Sequence, residues 1–303
     1  MIEVARVGAE AAADVHAVVR AAFVARPALD PPADALAETE TSLAEALARH
    51  GGLLALHEAE PAGALVLDPQ GDTLFLRRVG VVPYAQHTGV AAALVAAALD
   101  EAVGFRRVAV LAREELPGTV RFWRHEGFTE TEHEAPYVRL ERPAPTRHEA
   151  PDAEAMRALG ERLAGDLRAG DLVVLSGGLG AGKTTLTRGL GEGLQVRGGV
   201  TSPTFVIARV HPSLVDGPAL VHVDAYRLGG IHELDDLDLD ASLDEAVTVV
   251  EWGAGVAEGL ADSRLEIRIR RAEGSDPTGE DELDPRTVLV APVGPRWLDP
   301  LGD

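Results

Sequence analysis

Residues 177–184 read Gly-Gly-Leu-Gly-Ala-Gly-Lys-Thr, and Lys183 is the only lysine in a chain of 303 residues. The other 27 of the 28 basic side chains are arginine. The run fits G-x-x-x-x-G-K-[ST], in which glycine-rich backbone wraps a phosphate chain. An ammonium on a slim stem reaches β- and γ-oxygens inside such a wrap, where the broad guanidinium fork does not fit. The hydrophobic stretch 171–176 before it reads as a buried strand, and residues 184–194 after it read as a helix. A chain that carries this strand, loop and helix must build a parallel α/β unit around them. The second half is therefore expected to bind a nucleoside triphosphate.

Length and seams divide the rest. A chain of 303 residues is long enough for two cores. Pro143, Pro145 and Pro151 make residues 143–152 a poor helix or strand interior, so they are expected to form an extended linker. The fold class is α/β, with a mixed α/β domain in residues 1–142 and a phosphate-loop α/β domain in residues 153–303. Residues 272–285, acidic and rich in turn formers, are expected to be a long exposed loop joining strands at 265–269 and 288–290. Residues 1–145 hold 13 basic and 21 acidic side chains, and residues 146–303 hold 15 and 28. Neither half offers the basic balance on which nucleic-acid affinity rests, so DNA binding is not expected, nor is tight independent RNA binding. There is no cysteine, no signal-peptide pattern at the start, and no apolar run long enough for a membrane span. These readings fit a cytoplasmic protein.

In the first half, helices are expected at 11–25, 36–49, 90–102 and 119–125. Strands are expected at 53–57, 64–67, 73–82, 107–111 and 137–140. The informative segment runs from 76 to 93, where a strand feeds Gln86-His87-Thr88-Gly89-Val90-Ala91 and then a helix. Such a turn aims unpaired amides and the positive end of a helix dipole at one point, which suits a pyrophosphate. The segment resembles the [Q/R]-x-x-G-x-[G/A] motif of the GNAT superfamily of N-acetyltransferases. Residues 122–128, Phe-Trp-Arg-His-Glu-Gly-Phe, echo that family's later aromatic signature. The resemblance implies a GNAT-like fold over residues 1–142, with acetyl-CoA held by Val81 and by Gln86, His87, Thr88, Gly89, Val90 and Ala91. Trp123 stands where the family usually has the tyrosine that protonates the departing thiolate, and an indole N–H cannot do so near neutral pH. Three alternatives follow: Tyr84 or Tyr137 serves instead, the reaction runs without a dedicated acid, or this half binds without catalysing.

In the second half, two hydrophobic strands end on acids, at Asp224 and Glu251. Parallel strands beside a phosphate-loop strand deliver their C-terminal ends to the ligand crevice. Between loop and acids lies Val200-Thr201-Ser202-Pro203-Thr204-Phe205, whose hydroxyls can approach a γ-phosphate. Taken together, the loop, the Ser-Pro-Thr-Phe segment, the His222, Asp224, Tyr226 and Arg227 pattern, and Glu251-Trp252 closely resemble the TsaE family over residues 148–295. That family is the ATPase component of the bacterial machinery making N6-threonylcarbamoyladenosine in tRNA. The resemblance implies ATP held by Gly178, Leu179, Gly180, Ala181, Gly182, Lys183, Thr184 and Thr185, and Mg2+ held by Thr184 and Glu251. It also implies that Asp224 orders the attacking water and that Thr204 senses the γ-phosphate. TsaB and TsaD are the implied partners, with tRNA met only through that complex, and ATP turnover resetting it. Gly178 stands where many members carry an acid, which leaves the amide cradle intact.

Three other readings compete. One is a small-molecule phosphate-loop kinase, although no arginine-dense lid segment follows Asp224. Another is a composite tRNA acetyltransferase, against which the acidity of both halves argues. A third is a nucleotide-binding scaffold beside a non-catalytic GNAT domain.

Overall fold

The computed structural model describes residues 1–203, 207–227, 244–271 and 285–298. The chain divides into two compact units, Met1–Ala144 and Pro145–Asp303, each with its own seven-stranded sheet.

The first unit runs β1 (Ile2–Val7), α1 (Ala12–Val24), α2 (Glu40–His50), β2 (Gly52–His57), β3 (Glu60–Gln70), β4 (Thr73–Val81), α3 (Val90–Glu101), β5 (Arg107–Arg113), α4 (Pro117–His125), β6 (Thr129–Glu134) and β7 (Tyr137–Pro143). Its sheet order is β1-β2-β3-β4-β5-β7-β6. All neighbours are antiparallel except β4 and β5. That parallel pair is short: Thr73, Leu74 and Phe75 lie opposite Arg107, Val108 and Ala109, and the pairing then stops. The strands part into a fork, and residues 76–81 of β4 lose their partner on that side. A register shift in β4 opposite Ala64 and Val66 turns the strand at the mouth of the fork, where Arg78 adopts φ 54°. The end of α1 closes over it, since a Cβ on Gly80 would lie 2.8 Å from the Cβ of Ala22.

The second unit runs β8 (Thr146–Ala150), α5 (Ala153–Ala164), β9 (Leu172–Ser176), α6 (Lys183–Gly193), β10 (Ala208–His211), β11 (Ala219–Asp224), β12 (Ala246–Glu251), β13 (Arg264–Arg271) and β14 (Arg286–Val293). The order is β10-β11-β12-β9-β13-β14-β8. β11, β12, β9 and β13 are parallel, flanked by antiparallel β10 on one side and by β14 and β8 on the other. The central strand β9 is apolar on both faces, whereas β13 alternates buried Leu265, Ile267 and Ile269 with charged residues. Val173 and Leu175 face one core, while Leu172 and Val174 face another.

The expected linker is corrected by this sheet. Residues 146–150 are extended as the prolines require, yet they pair residue for residue with β14. An edge strand needs hydrogen bonds on one side only, so flanking prolines do not prevent it. The expected strands and helices recur with shifted ends, and α5 is capped by Asp152, whose carboxylate accepts from the Ala155 amide at 2.8 Å. Four strands escaped the sequence: β1, β6, β8 and β10. The expected loop at 272–285 lies outside the described residues except for Pro285. Among the described residues no helix is long and apolar enough to cross a membrane.

Helix α6 is held at its distance from α5 by glycine. A Cβ on Gly189 would lie 2.0 Å from the Arg157 carbonyl oxygen, and one on Gly160 would lie 2.3 Å from that of Leu186. In an unconstrained helix, Gly→Ala gains about 0.5–1 kcal/mol, whereas overpacking costs about 1–3 kcal/mol. Gly189→Ala is therefore expected to destabilise the second unit. Urea unfolding followed by circular dichroism should show its transition at lower urea than in the parent chain, and a raised midpoint would contradict the close approach.

Candidate functional site

The second unit's site starts at the end of β9. Gly180 and Gly182 take φ of 73° and 107°, a region other residues rarely adopt, and their turns carry the chain from strand to helix. The Arg286 guanidinium donates to the carbonyl oxygens of Ala181 (3.1 Å) and Gly180 (3.3 Å). These bonds tie the loop's carbonyls to β14, while the Ala181 amide donates to the Gly178 carbonyl at 3.2 Å. Leu179 at the tip is 90% exposed, so its side chain takes no part in packing.

Lys183 is the first residue of α6 and is buried. Its ammonium donates to the carbonyls of Gly177 (2.8 Å) and Gly178 (3.0 Å) and lies 3.6 Å from the centre of the Trp252 ring. Burial pushes its pKa down, opposed by the charges of Glu251 and Asp224. Trp252 sits at φ 61°, directly after β12, with its amide donating to Leu175 at 2.9 Å. The Tyr226 ring packs on it at 5.1 Å between centroids. A bulky residue held at positive φ is costly by about 1–3 kcal/mol and marks a position that the surroundings impose.

Two carboxylates meet the loop at one level of the sheet. Asp224 and Glu251 are direct register partners on β11 and β12, and Glu251 is opposite Leu175 on β9. Glu251 is only 3% exposed. Its Oε2 accepts from the Thr184 hydroxyl at 3.1 Å, and its Oε1 lies 2.8 Å from Nε2 of fully buried His222. A carboxylate only accepts, so the proton of His222 is assigned to Nε2. The other nitrogen, Nδ1, has no hydrogen-bond partner among the described residues. Asp224 accepts from the Ser202 hydroxyl (3.2 Å) and from the Tyr226 amide (3.1 Å).

These oxygens can be tested against a magnesium ion. Bonds of about 2.0–2.1 Å in an octahedron place adjacent ligand oxygens about 2.9 Å apart. Thr184 Oγ1 and Glu251 Oε2 stand 3.1 Å apart, and both are hard oxygen donors. The set fits Mg2+.

Of the residues named from the sequence, Lys183, Thr184, Asp224 and Glu251 converge here. Thr204 lies outside the described residues. The sequence names His222 and Trp252 only as motif residues, without their contacts to Glu251 and to the Lys183 ammonium, and Arg286 on the loop carbonyls is not foreseen at all. The i, i+2 spacing of His222 and Asp224, which puts both on one face of β11, was the available signal for the His222 contact.

The first unit's site is the fork. A cavity of about 1030 Å3 is lined by Val81, Gln86, His87, Gly89 and Ala91 among the expected residues, and also by Trp123 and Tyr137. Gly89, at φ 94°, precedes α3 and turns the amides of its first residues outward. The structure does not bring the side chains of Thr88 and Val90 to the cavity. The Thr88 hydroxyl donates to the Ala85 carbonyl at 2.7 Å, and Val90 is in the core. Trp123 is buried edge-on against Phe122 and Phe128, at 5.1 and 5.0 Å between centroids. Tyr137 stands beside the Arg113 guanidinium, 5.3 Å from ring centre to carbon. Tyr84, by contrast, is exposed and donates to the Pro61 carbonyl at 3.1 Å.

Comparison with known proteins matches each half separately. Residues 150–278 match the family model for threonylcarbamoyl adenosine biosynthesis protein TsaE, and residues 18–128 match that of the GNAT acetyltransferase family. The chain is 68% identical over 143 residues to the tRNA threonylcarbamoyladenosine biosynthesis protein TsaE of Streptomyces coelicolor, covering 47% of this chain and 93% of that protein. It is 56% identical over 126 residues to the TsaE of Mycobacterium leprae, covering 39% and 78%. Among solved structures, the PaiA N-acetyltransferase of Thermoplasma acidophilum in complex with coenzyme A aligns with 47% of this chain and 99% of its own, at 15% identity and a TM-score of 0.43. The chain therefore belongs to the TsaE family through its second half, and carries ahead of it an acetyltransferase domain of the GNAT family.

Proposed function

We propose that the second unit hydrolyses ATP in the synthesis of N6-threonylcarbamoyladenosine at position 37 of tRNA, and that the first transfers acetyl from acetyl-CoA to an amine. The observation that carries the ATPase reading is the meeting of Lys183, Thr184, Asp224 and Glu251 around one glycine loop at the ends of parallel strands. Amides of residues 178–185 wrap the phosphates. Lys183 exchanges the carbonyls of Gly177 and Gly178 for β- and γ-oxygens. Thr184 and Glu251 would hold Mg2+, which would neutralise charge on the phosphates. Glu251 is kept in place by His222. Asp224, braced by Ser202, orients water for attack on the γ-phosphorus, and Thr204 senses the γ-phosphate.

Phosphoryl transfer to water needs positioned charge, and a small open site supplies it incompletely. Slow turnover is the consequence until partners complete the site. TsaB and TsaD are those partners, with ATP hydrolysis resetting their complex, and tRNA is reached only through them in the cytoplasm. Full-length protein is expected to hydrolyse ATP slowly, faster with TsaB and TsaD, and at least about a hundredfold more slowly as Lys183→Ala. Phosphate release measures this. Fast turnover indifferent to those partners would favour a phosphate-loop kinase instead.

In the first unit, the amine nitrogen attacks the thioester carbon and gives up a proton to solvent, the C–S bond breaks, and the departing thiolate takes a proton. The cavity favours Tyr137 as the donor, because Tyr84 lies elsewhere and Trp123 is packed as core. Tyr137→Phe is expected to lower kcat for coenzyme A release by about 100-fold or more with KM for acetyl-CoA little changed. An unchanged kcat would remove Tyr137 from that role.

A further inference from the structure

Four arginines line the cavity of the first unit: Arg26, Arg77, Arg78 and Arg113. Three of them are neutralised by carboxylates that do not line it. Arg77 pairs with Asp68 at 3.0 Å, Arg78 with Glu38 at 2.7 Å, and Arg113 with Glu115 at 2.6 Å. Arg26 differs. Its Nη2 donates to the Val79 carbonyl at 3.0 Å, and its plane rests 3.7 Å from the centre of the Phe23 ring. Among the described residues it has no carboxylate partner, and its Nε and Nη1 have no acceptor. The ring and the carbonyl fix the guanidinium without discharging it, so its remaining donors stay directed to the cavity in one orientation.

The placement matters. Val79 follows the turn in β4 at Arg78, where the strand has left β5, and the end of α1, which carries Ala22 and Phe23 and is followed by Arg26, packs over Gly80. Arg26 thus stands at the fork, beside the stretch of β4 whose backbone is open. The phosphates of a coenzyme have their own donors in the amides before α3. Burial pushes the Arg26 pKa down to about 10, still well above neutral pH, so the group remains charged while partly stripped of water. A fixed, partly desolvated cation that has no carboxylate partner among the described residues, although Asp34 and Glu126 also line the cavity, calls for an anion from the ligand.

We propose that the acceptor of the first unit is an amine bearing a carboxylate, and that Arg26 binds that carboxylate. The proposal rests on the reading of this unit as an acetyl-CoA-dependent transferase, and adds the substrate class. Binding needs no new chemistry: two N–H groups of Arg26 meet the carboxylate oxygens while the amine reaches the thioester.

The test uses the full chain and matched pairs differing only in charge, glutamate against glutamine and amino acids against their α-amides. Coenzyme A release is measured for the parent, Arg26→Gln and Arg26→Lys. The parent should prefer the carboxylate of each pair about tenfold or more in kcat/KM. Arg26→Gln should bring the pair within about threefold, Arg26→Lys should restore part of the preference, and KM for acetyl-CoA should not move. Melting curves check that the variants fold. Equal use of acids and amides by the parent would overturn the proposal. So would a raised KM for acetyl-CoA in Arg26→Gln with the charge preference intact, because the anion would then be a coenzyme phosphate. Calorimetry separates the two layers. If acetyl-CoA does not bind the parent, the transferase reading fails; titration of the N-acetylated acid and amide pairs still decides the anion site, by whether the parent prefers the acid and Arg26→Gln does not.

Discussion

The second unit's site depends on one buried carboxylate. Glu251 is removed from water at the end of a strand that is buried along its whole length, and a lone charge there would be expensive. It is tolerated because each oxygen has a partner fixed by another element: His222 from β11 and Thr184 from α6. The same two contacts tie the phosphate-loop helix to the sheet and set the level at which Asp224 is presented. Loop and carboxylates thus reach a common point because of the sheet's register, and the glycine contacts between α5 and α6 keep the helix there. Lys183, resting on carbonyls of its own loop and on the Trp252 ring, is placed beside these acids with its charge partly desolvated.

The first unit works from an interrupted sheet. Where β4 and β5 part, backbone groups that a continuous sheet would have used become available to a ligand, and a cavity opens beside them. Fixed hydrogen-bonding groups are in this way supplied by omission of a strand pairing. The side chains around the cavity then decide what enters, and the neutralised arginines differ from Arg26 in having their carboxylates within the chain.

What the sequence disclosed was local chemistry. The phosphate loop, the turn at residues 86–91, and strands ending in Asp224 and Glu251 are written in contiguous residues, so spacing alone locates them. The contacts of Trp252, Arg286 and His222 were hidden because each depends on which strands become neighbours. Arg286 reaches the loop from β14, more than a hundred residues downstream. The missed strands fail for a different reason. β6 is Thr-Glu-Thr-Glu-His-Glu and lies at an exposed sheet edge, with no apolar face to announce it. In β8 the prolines flanking residues 146–150 argue against a strand interior, though an edge position tolerates them. Trp123 was legible as a departure from the acetyltransferase pattern, and its packing between two phenylalanines gives it a structural role.

The most direct test of the account is the magnesium dependence of ATP binding by the full chain and by Glu251→Gln, measured by calorimetry. If Thr184 and Glu251 form the metal site, magnesium should tighten nucleotide binding by the parent. In Glu251→Gln that gain should shrink to little or nothing, while metal-free ATP still binds the loop. A variant that keeps the full magnesium gain would contradict the assignment of Glu251 as the carboxylate on which the site is built.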